Sequence, residues 1–143
     1  MSTLERAIEI AAKNHAGQVD KRGQPYVLHP LRLMLAVQGG HERMAAVLHD
    51  VVEDTSVTQE ELTAKGFPEA VVASVNALTK RKSESRLEAA SRAAQNPIAR
   101  AVKLADVADN MDLRPIPEPT EKDLTRLKEY EQVRALLLSH EPV

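Results

Sequence analysis

Residues 44–54 read Met44-Ala45-Ala46-Val47-Leu48-His49-Asp50-Val51-Val52-Glu53-Asp54. Met44, Val47, Leu48 and Val51 recur at intervals of three and four, and this spacing predicts a helix over 42–53. Its last turn breaks the apolar pattern with four ionisable residues. On a helix, positions four apart share a face, so His49 lies above Glu53 and Asp50 above Asp54. Three carboxylates at a helix C-terminus repel one another and oppose its dipole. A bound divalent cation is the economical compensation.

The helical signature continues on both sides. Ser2-x-x-Glu5 has the form of a capping box. It opens a helix with Leu4, Ile8, Ala11 and Ala12 inward, ending near Gly17. Residues 17–28 have the Gly, Asp, Lys, Arg and Pro content of a loop. His29-Pro30 puts proline at a first helical position, with Leu31, Met34, Leu35 and Val37 following until Gly39-Gly40. Downstream, Thr58-x-x-Glu61 caps a short helix ending at Gly66. Pro68 begins another, with Val71, Val72, Val75 and Leu78 inward. Residues 83–94 form a helix with a weak apolar face, and Asn96-Pro97 opens one reaching to about Met111. Pro115-Ile116-Pro117-Glu118-Pro119 is stiff and extended. Thr120 opens a last helix with Leu124, Leu127, Val133 and Leu137 on its buried stripe. With no sustained period-2 alternation and no internal repeat, the expected architecture is one all-α domain over 1–143, a bundle of about seven or eight helices.

Composition removes other chemistries. The 143 residues contain no cysteine, which excludes disulfides, a thiolate nucleophile and Cys-ligated zinc. The aromatics are Tyr26, Phe67 and Tyr130, too few for a platform that stacks single-stranded nucleic acid. The five glycines form no phosphate-cradling loop of either standard spacing. Lys and Arg number 19 against 21 Asp and Glu, a net charge of −2 that gives no pull toward nucleic acid or an anionic membrane. No apolar run suggests a membrane span and the N-terminus lacks a signal-peptide pattern, so a cytoplasmic protein is expected.

A second helix has the character of the first. Ala101-Val-Lys-Leu-Ala-Asp106-Val-Ala-Asp109-Asn110 is mainly apolar up to Asp106, and Asn110 follows one turn later on the same face. Asp109 lies slightly off that face. His29 stands at the start of a third helix. Taken singly, each has a plainer role: His29 as an N-cap, His49-Asp50 as an exposed helix end, Asp106 paired with Lys103 or Arg114. Together, His29, His49, Asp50 and Asp106 supply two imidazoles and two carboxylates. That set suits six-coordinate Mn²⁺ or Fe²⁺, whereas Mg²⁺ prefers an all-oxygen shell. Water on such an ion becomes a nucleophile near neutral pH, with Glu53 and Asp54 placed to orient it or move its proton.

These residues resemble the H…HD…D signature of the HD-domain phosphohydrolases. Ala16-Gly-Gln18, Gly23-Gln-Pro-Tyr-Val-Leu-His-Pro30, Ala46 through Thr55, and Val102-Lys-Leu-Ala-Asp106 with Asn110-Met111 resemble the hydrolase domain of the RelA/SpoT alarmone enzymes. The match covers about residues 4–114. With no synthetase or regulatory region in view, the chain is similar to the stand-alone small alarmone hydrolases. The resemblance implies a manganese-dependent enzyme that removes the 3′-pyrophosphate of (p)ppGpp, giving GDP or GTP and pyrophosphate. It implies that His29, His49, Asp50 and Asp106 hold the metal, that Glu53 and Asp54 are catalytic, and that Asn110 contacts the nucleotide. The chain departs from the family at Asp20-Lys21-Arg22, where Arg-Lys-Ser is common, and at Asp112-Leu113, where Arg-Thr often stands.

A polyanionic substrate needs local positive charge. Lys21, Arg22, Lys103 and Arg114 are the candidates, with Lys80-Arg81-Lys82 read as solvated surface. Tyr26 is read as a loop anchor. The stripe of Tyr130, Val133 and Leu137 is read as core, and would suggest a homodimer if exposed. Two alternatives remain: a phosphohydrolase for another nucleotide, such as the 2′-phosphate of NADPH or a nucleoside polyphosphate, and a nucleotide-sensing module without turnover. Asp50→Ala is expected to abolish phosphohydrolysis while circular dichroism still reports a helical fold. An unchanged rate in that variant would contradict the site.

Overall fold

A computed structural model describes residues 2–112 and 118–140, and among them the chain forms nine α-helices. They are α1 (Leu4–Asn14), α2 (Leu28–Ala36), α3 (Gly40–Leu48), α4 (Val51–Asp54), α5 (Gln59–Ala64), α6 (Glu69–Leu78), α7 (Arg86–Ala94), α8 (Pro97–Met111) and α9 (Glu121–Ser139). α3 and α4 are two pieces of the segment expected as one helix, so the all-α outline read from the sequence is the one observed. The one β-bridge among the described residues is an isolated antiparallel one between Val19 and Pro25. None of the described helices is long and apolar enough to cross a membrane. Arg114 and residues 115–117 of the proline-rich segment lie outside the described residues.

α3 is the helix around which the others assemble, with α1, α2, α6 and α8 packed against it. Ala45 and Ala46 are fully buried, and their small side chains let neighbouring helices come close. Val47, Leu48 and Val51 join Ile10, Leu62, Phe67, Val71 and Val75 in one apolar cluster. Leu33, Val37 and Val102 form a second across α2, α3 and α8. The third joins Ala90, Val107, Val133 and Leu137, which docks α9 on α7 and α8. The Val133–Leu137 stripe is thus covered within the chain and gives no ground for a dimer.

Several helix ends differ from the sequence expectation. Thr3, not Ser2, caps α1 by accepting from the Arg6 amide at 3.2 Å. Ser2 instead donates its hydroxyl to the Lys65 carbonyl and its amide to Gly66 at 3.0 Å. α2 begins at Leu28, so Pro30 occupies the third position rather than the first. Proline fits there because the first i→i−4 bond of this helix runs from Leu31 to Val27. Of the apolar residues on this helix, Leu33 enters the core and Leu35 is left 74% exposed. Thr58, Asn96 and Thr120 cap their helices as read.

The break between α3 and α4 has an identifiable cause. The His49 Nδ1 donates to the Ala46 carbonyl at 2.7 Å, where a continuing helix would offer the Asp50 amide. Asp50 keeps right-handed angles (φ −101°, ψ −3°), and helical bonding resumes with Asp54 N–H to Asp50 O at 2.9 Å. The expected stacking of His49 over Glu53 and Asp50 over Asp54 therefore lies across a helix interruption.

Leu137 is fully buried and Leu124 is 49% exposed, although both belonged to the expected stripe. Leu137→Ala is expected to cost about 2–5 kcal/mol in urea unfolding. Leu124→Ala is expected to stay within about 0.5 kcal/mol of wild type. Equal costs would contradict this docking of α9.

Candidate metal centre

The N-terminal turn of α2, the end of α3 and the last turns of α8 bring His29, His49 and Asp106 together. All three are buried. One ligand atom from each lies within 4.8 Å of the others. His29 Nε2 is 2.9 Å from Asp106 Oδ1, and His49 Nε2 is 3.7 Å from the same oxygen. Asp50 Oδ2 lies 2.9 Å from His49 Nε2. His29 is therefore no N-cap: its ring faces inward.

Charge is concentrated here. Burial opposes a charge on His49, but Asp50 and Asp106 outweigh it and hold the imidazole well above its ordinary range. His29 is likewise raised, because hydrogen bonds with Asp106 and Asp109 outweigh burial. Burial would raise Asp106, yet Lys103 and the two histidines keep it well below the usual carboxylate range. Asp50 is lowered against its own burial, chiefly by His49.

Asp50, Glu53 and Asp54 form a second group of carboxylates with ligand atoms within 4.8 Å of one another. Tyr26 donates its hydroxyl to Asp50 Oδ2, so it anchors the site as well as the loop. Glu53 Oε1 accepts from the Lys80 amide at 2.7 Å, which fixes it to the segment after α6. Asp54 is exposed along its edge, yet partial burial and the charges of Asp50 and Glu53 raise it to about 6.

The predicted substrate residues divide. Lys103 Nζ donates to Asp106 Oδ2 at 2.9 Å and also lines the cleft. Arg22 donates to the Asp112 carbonyl at 2.9 Å and reaches the Asp109 carbonyl at 3.5 Å, tying the 17–28 loop to the end of α8. In that loop Asp20 Oδ1 accepts from the Arg22 and Gln24 amides, and Gly23 supplies the positive φ of 78° that the turn requires. Asn110 donates to Asp106 Oδ1 at 3.0 Å and lines the cleft above the site. Lys21 also lines it, 6.0 Å from the Tyr130 ring.

That cleft holds about 480 Å³. Its floor is acidic, and its walls add Arg86, Arg126 and Lys80, which were not read as substrate-facing. Arg86 lies 4.8 Å from the centre of the Tyr130 ring. Arg32 was missed altogether. It grips Asp109 through two hydrogen bonds of 2.8 and 2.9 Å, and Asp109 accepts from His29 Nδ1 at 2.7 Å. The position of Arg32 three residues after His29 was the available signal.

The donor set fits a divalent cation. With the Nδ1 proton given to the Ala46 carbonyl, the neutral form of His49 that a cation would bind carries its lone pair on Nε2. That nitrogen is buried and makes no hydrogen bond despite its closeness to Asp50. A buried, unpartnered acceptor between carboxylates is the arrangement a cation satisfies. His29, His49, Asp106 and Asp50 could hold it.

Residues 7–116 match the family model described as the HD domain. The chain belongs to the HD-domain family. This HD domain is 37% identical over 120 residues to a guanosine-3′,5′-bis(diphosphate) 3′-pyrophosphohydrolase of Aquifex aeolicus, covering 76% of the chain and 17% of the relative. It is 33% identical over 153 residues to a GTP pyrophosphokinase of Streptomyces coelicolor, covering 98% of the chain and 17% of the relative. The chain thus spans less than a fifth of the length of these curated relatives. A solved structure of a metazoan ortholog of SpoT, described as hydrolysing ppGpp, superposes with a TM-score of 0.77 at 27% identity, covering 98% of this chain and 85% of that one.

The electrostatics of this HD-domain site fix the sign of its pH dependence. Both imidazoles are raised, and each must lose a proton before it ligates. Cation affinity is expected to rise with pH through values above the ordinary imidazole range, with protons released on binding. Calorimetry of Mn²⁺ binding in two buffers of different ionisation enthalpy measures that release. Affinity independent of pH between about 6 and 8 would contradict the ligand set.

Proposed function

We propose that the chain is a cytoplasmic phosphohydrolase that removes the 3′-pyrophosphate of (p)ppGpp, with Mn²⁺ held by His29, His49, Asp50 and Asp106. The observation that carries the reading is the buried convergence of His29, His49 and Asp106, with the unpartnered His49 Nε2, at the floor of a cleft with basic walls. Family membership and the names of the relatives support the substrate class.

A cation bound there supplies Lewis-acid stabilisation of phosphoryl oxygen and lowers the pKa of water. The chain's own residues do the rest. Asp54, raised to about 6, sits where it can take a proton from water near neutral pH and return it later. Glu53, held by the Lys80 amide, keeps a carboxylate beside it to orient the water. Water oxygen bonds to the 3′ phosphorus, the bond from phosphorus to ribose O3′ breaks, and O3′ takes up a proton as pyrophosphate leaves. Lys21, Arg86 and Arg126 offset phosphate charge from the walls, and Asn110, which also lines the cleft, contacts the nucleotide.

The commitment of Arg22 to main-chain carbonyls favours testing the nucleotide preference directly. Purified chain with Mn²⁺ is assayed against ppGpp, pppGpp, NADPH and nucleoside polyphosphates, ranked by kcat/KM. The expected result is pyrophosphate release, with (p)ppGpp leading by at least about tenfold, a difference of about 1.4 kcal/mol in transition-state binding. No release from ppGpp by the cation-loaded protein, or a stronger preference for another nucleotide, would overturn the substrate assignment.

A further inference from the structure

α2 and α8 face each other at the site through two pairs of residues in register. His29 and Arg32 lie three apart on α2, and Asp106 and Asp109 lie three apart on α8. Both nitrogens of His29 meet α8: Nε2 at Asp106 Oδ1, 2.9 Å, and Nδ1 at Asp109 Oδ2, 2.7 Å. Asp109 is itself gripped by Arg32, Nε to Oδ1 at 2.8 Å and Nη2 to Oδ2 at 2.9 Å. This two-point contact fixes the plane of the carboxylate as well as its position. His49 is oriented differently, by the neutral carbonyl of Ala46.

We propose that Asp109, clamped by Arg32, is the positioning residue that presents His29 to the cation, keeping the proton on Nδ1 and directing the Nε2 lone pair at the point where His49 and Asp106 converge. A carboxylate behind an imidazole also makes it a stronger donor than a peptide carbonyl does. The two histidines are therefore unequal: His29 is the ligand whose strength depends on a charged partner, and His49 the one locked by main chain. Arg32 contributes by keeping Asp109 turned toward His29. This inference rests on the cation site of the proposed function and is independent of the nucleotide.

The test uses the full chain and titrates Mn²⁺ alone, following the free-ion signal by electron paramagnetic resonance. Asp109→Asn preserves shape but removes the charge and replaces one of the two acceptor oxygens with an amide donor that must face Arg32 or His29, and is expected to weaken Mn²⁺ binding about 10- to 100-fold. Arg32→Gln leaves His29 untouched and is expected to weaken it by a smaller factor. Asp109→Glu, which restores a carboxylate, is expected to recover part of the loss. Long-range ¹H–¹⁵N spectra of the Zn²⁺-loaded protein supply a readout that a merely structural role would not move: the proton on Nδ1 of His29 in wild type, and loss of that signature in Asp109→Asn. Wild-type Mn²⁺ affinity in folded Asp109→Asn overturns the inference. If that variant does not fold, unchanged affinity in Arg32→Gln overturns it. Failure of the wild-type chain to bind Mn²⁺ overturns both this inference and the cation site, whereas failure to turn over ppGpp touches only the proposed substrate.

Discussion

Asp106 is a carboxylate only 7% exposed, between two imidazoles and an ammonium group, and much of the architecture follows from keeping it there. A buried charge without partners costs several kcal/mol, by about the measure of an ion left in a low dielectric. Here the partners come from three places: His29 on α2, His49 at the end of α3, and Lys103 with Asn110 on α8 itself. α2, α3 and α8 must therefore pack in one register, and the Leu33–Val102 cluster beside the site holds them in it. Fully buried Ala45 and Ala46 leave room for that close packing.

The same arrangement explains how a chain of net charge −2 can face a polyanion. Charge is segregated, not scarce. Carboxylates and imidazoles occupy the floor of the cleft, while Lys21, Arg86 and Arg126 stand on its walls. α9 carries Arg126 and Tyr130 to that wall because Val133 and Leu137 dock on α7 and α8. Arg92 holds the approach to α7 by bonding Ala77 and Thr79 carbonyls and Glu84, which places the Lys80 amide against Glu53. Core packing and site geometry are thus linked through the 79–85 segment.

The legible parts of the fold were those written in local chemistry. Thr58, Asn96 and Thr120 announce helix starts because their side chains bond amides three residues away. His49-Asp50 and Asp106 stood out as polar residues on otherwise apolar helices. The illegible parts depended on distant partners. The interruption at residues 49–50 arises from a histidine competing with main chain for a carbonyl, which helical periodicity does not encode. Leu124 and Val133 fit one stripe by spacing, but only the position of α7 and α8 decides which of them is covered. Arg86 and Arg126 carry no sequence signal of their own, and Arg32 only its spacing from His29, until α8, Tyr130 and the cleft are placed beside them. Arg22 and Lys103 line the cleft, but their bonds to the Asp112 carbonyl and to Asp106 were not legible, because those acceptors lie on a helix end and one turn along a helix.

The central claim is that His29, His49, Asp50 and Asp106 share one cation. Anomalous diffraction at the manganese absorption edge, from crystals of the full chain grown with Mn²⁺, tests it most directly. The account predicts one strong peak at about 2.0–2.4 Å from His29 Nε2, His49 Nε2 and carboxylate oxygens of Asp50 and Asp106, with the imidazoles still bonded to Asp109 and the Ala46 carbonyl through Nδ1. A peak held by Glu53 and Asp54 without either histidine, or no peak with the His29–Asp106 contact intact, would contradict it.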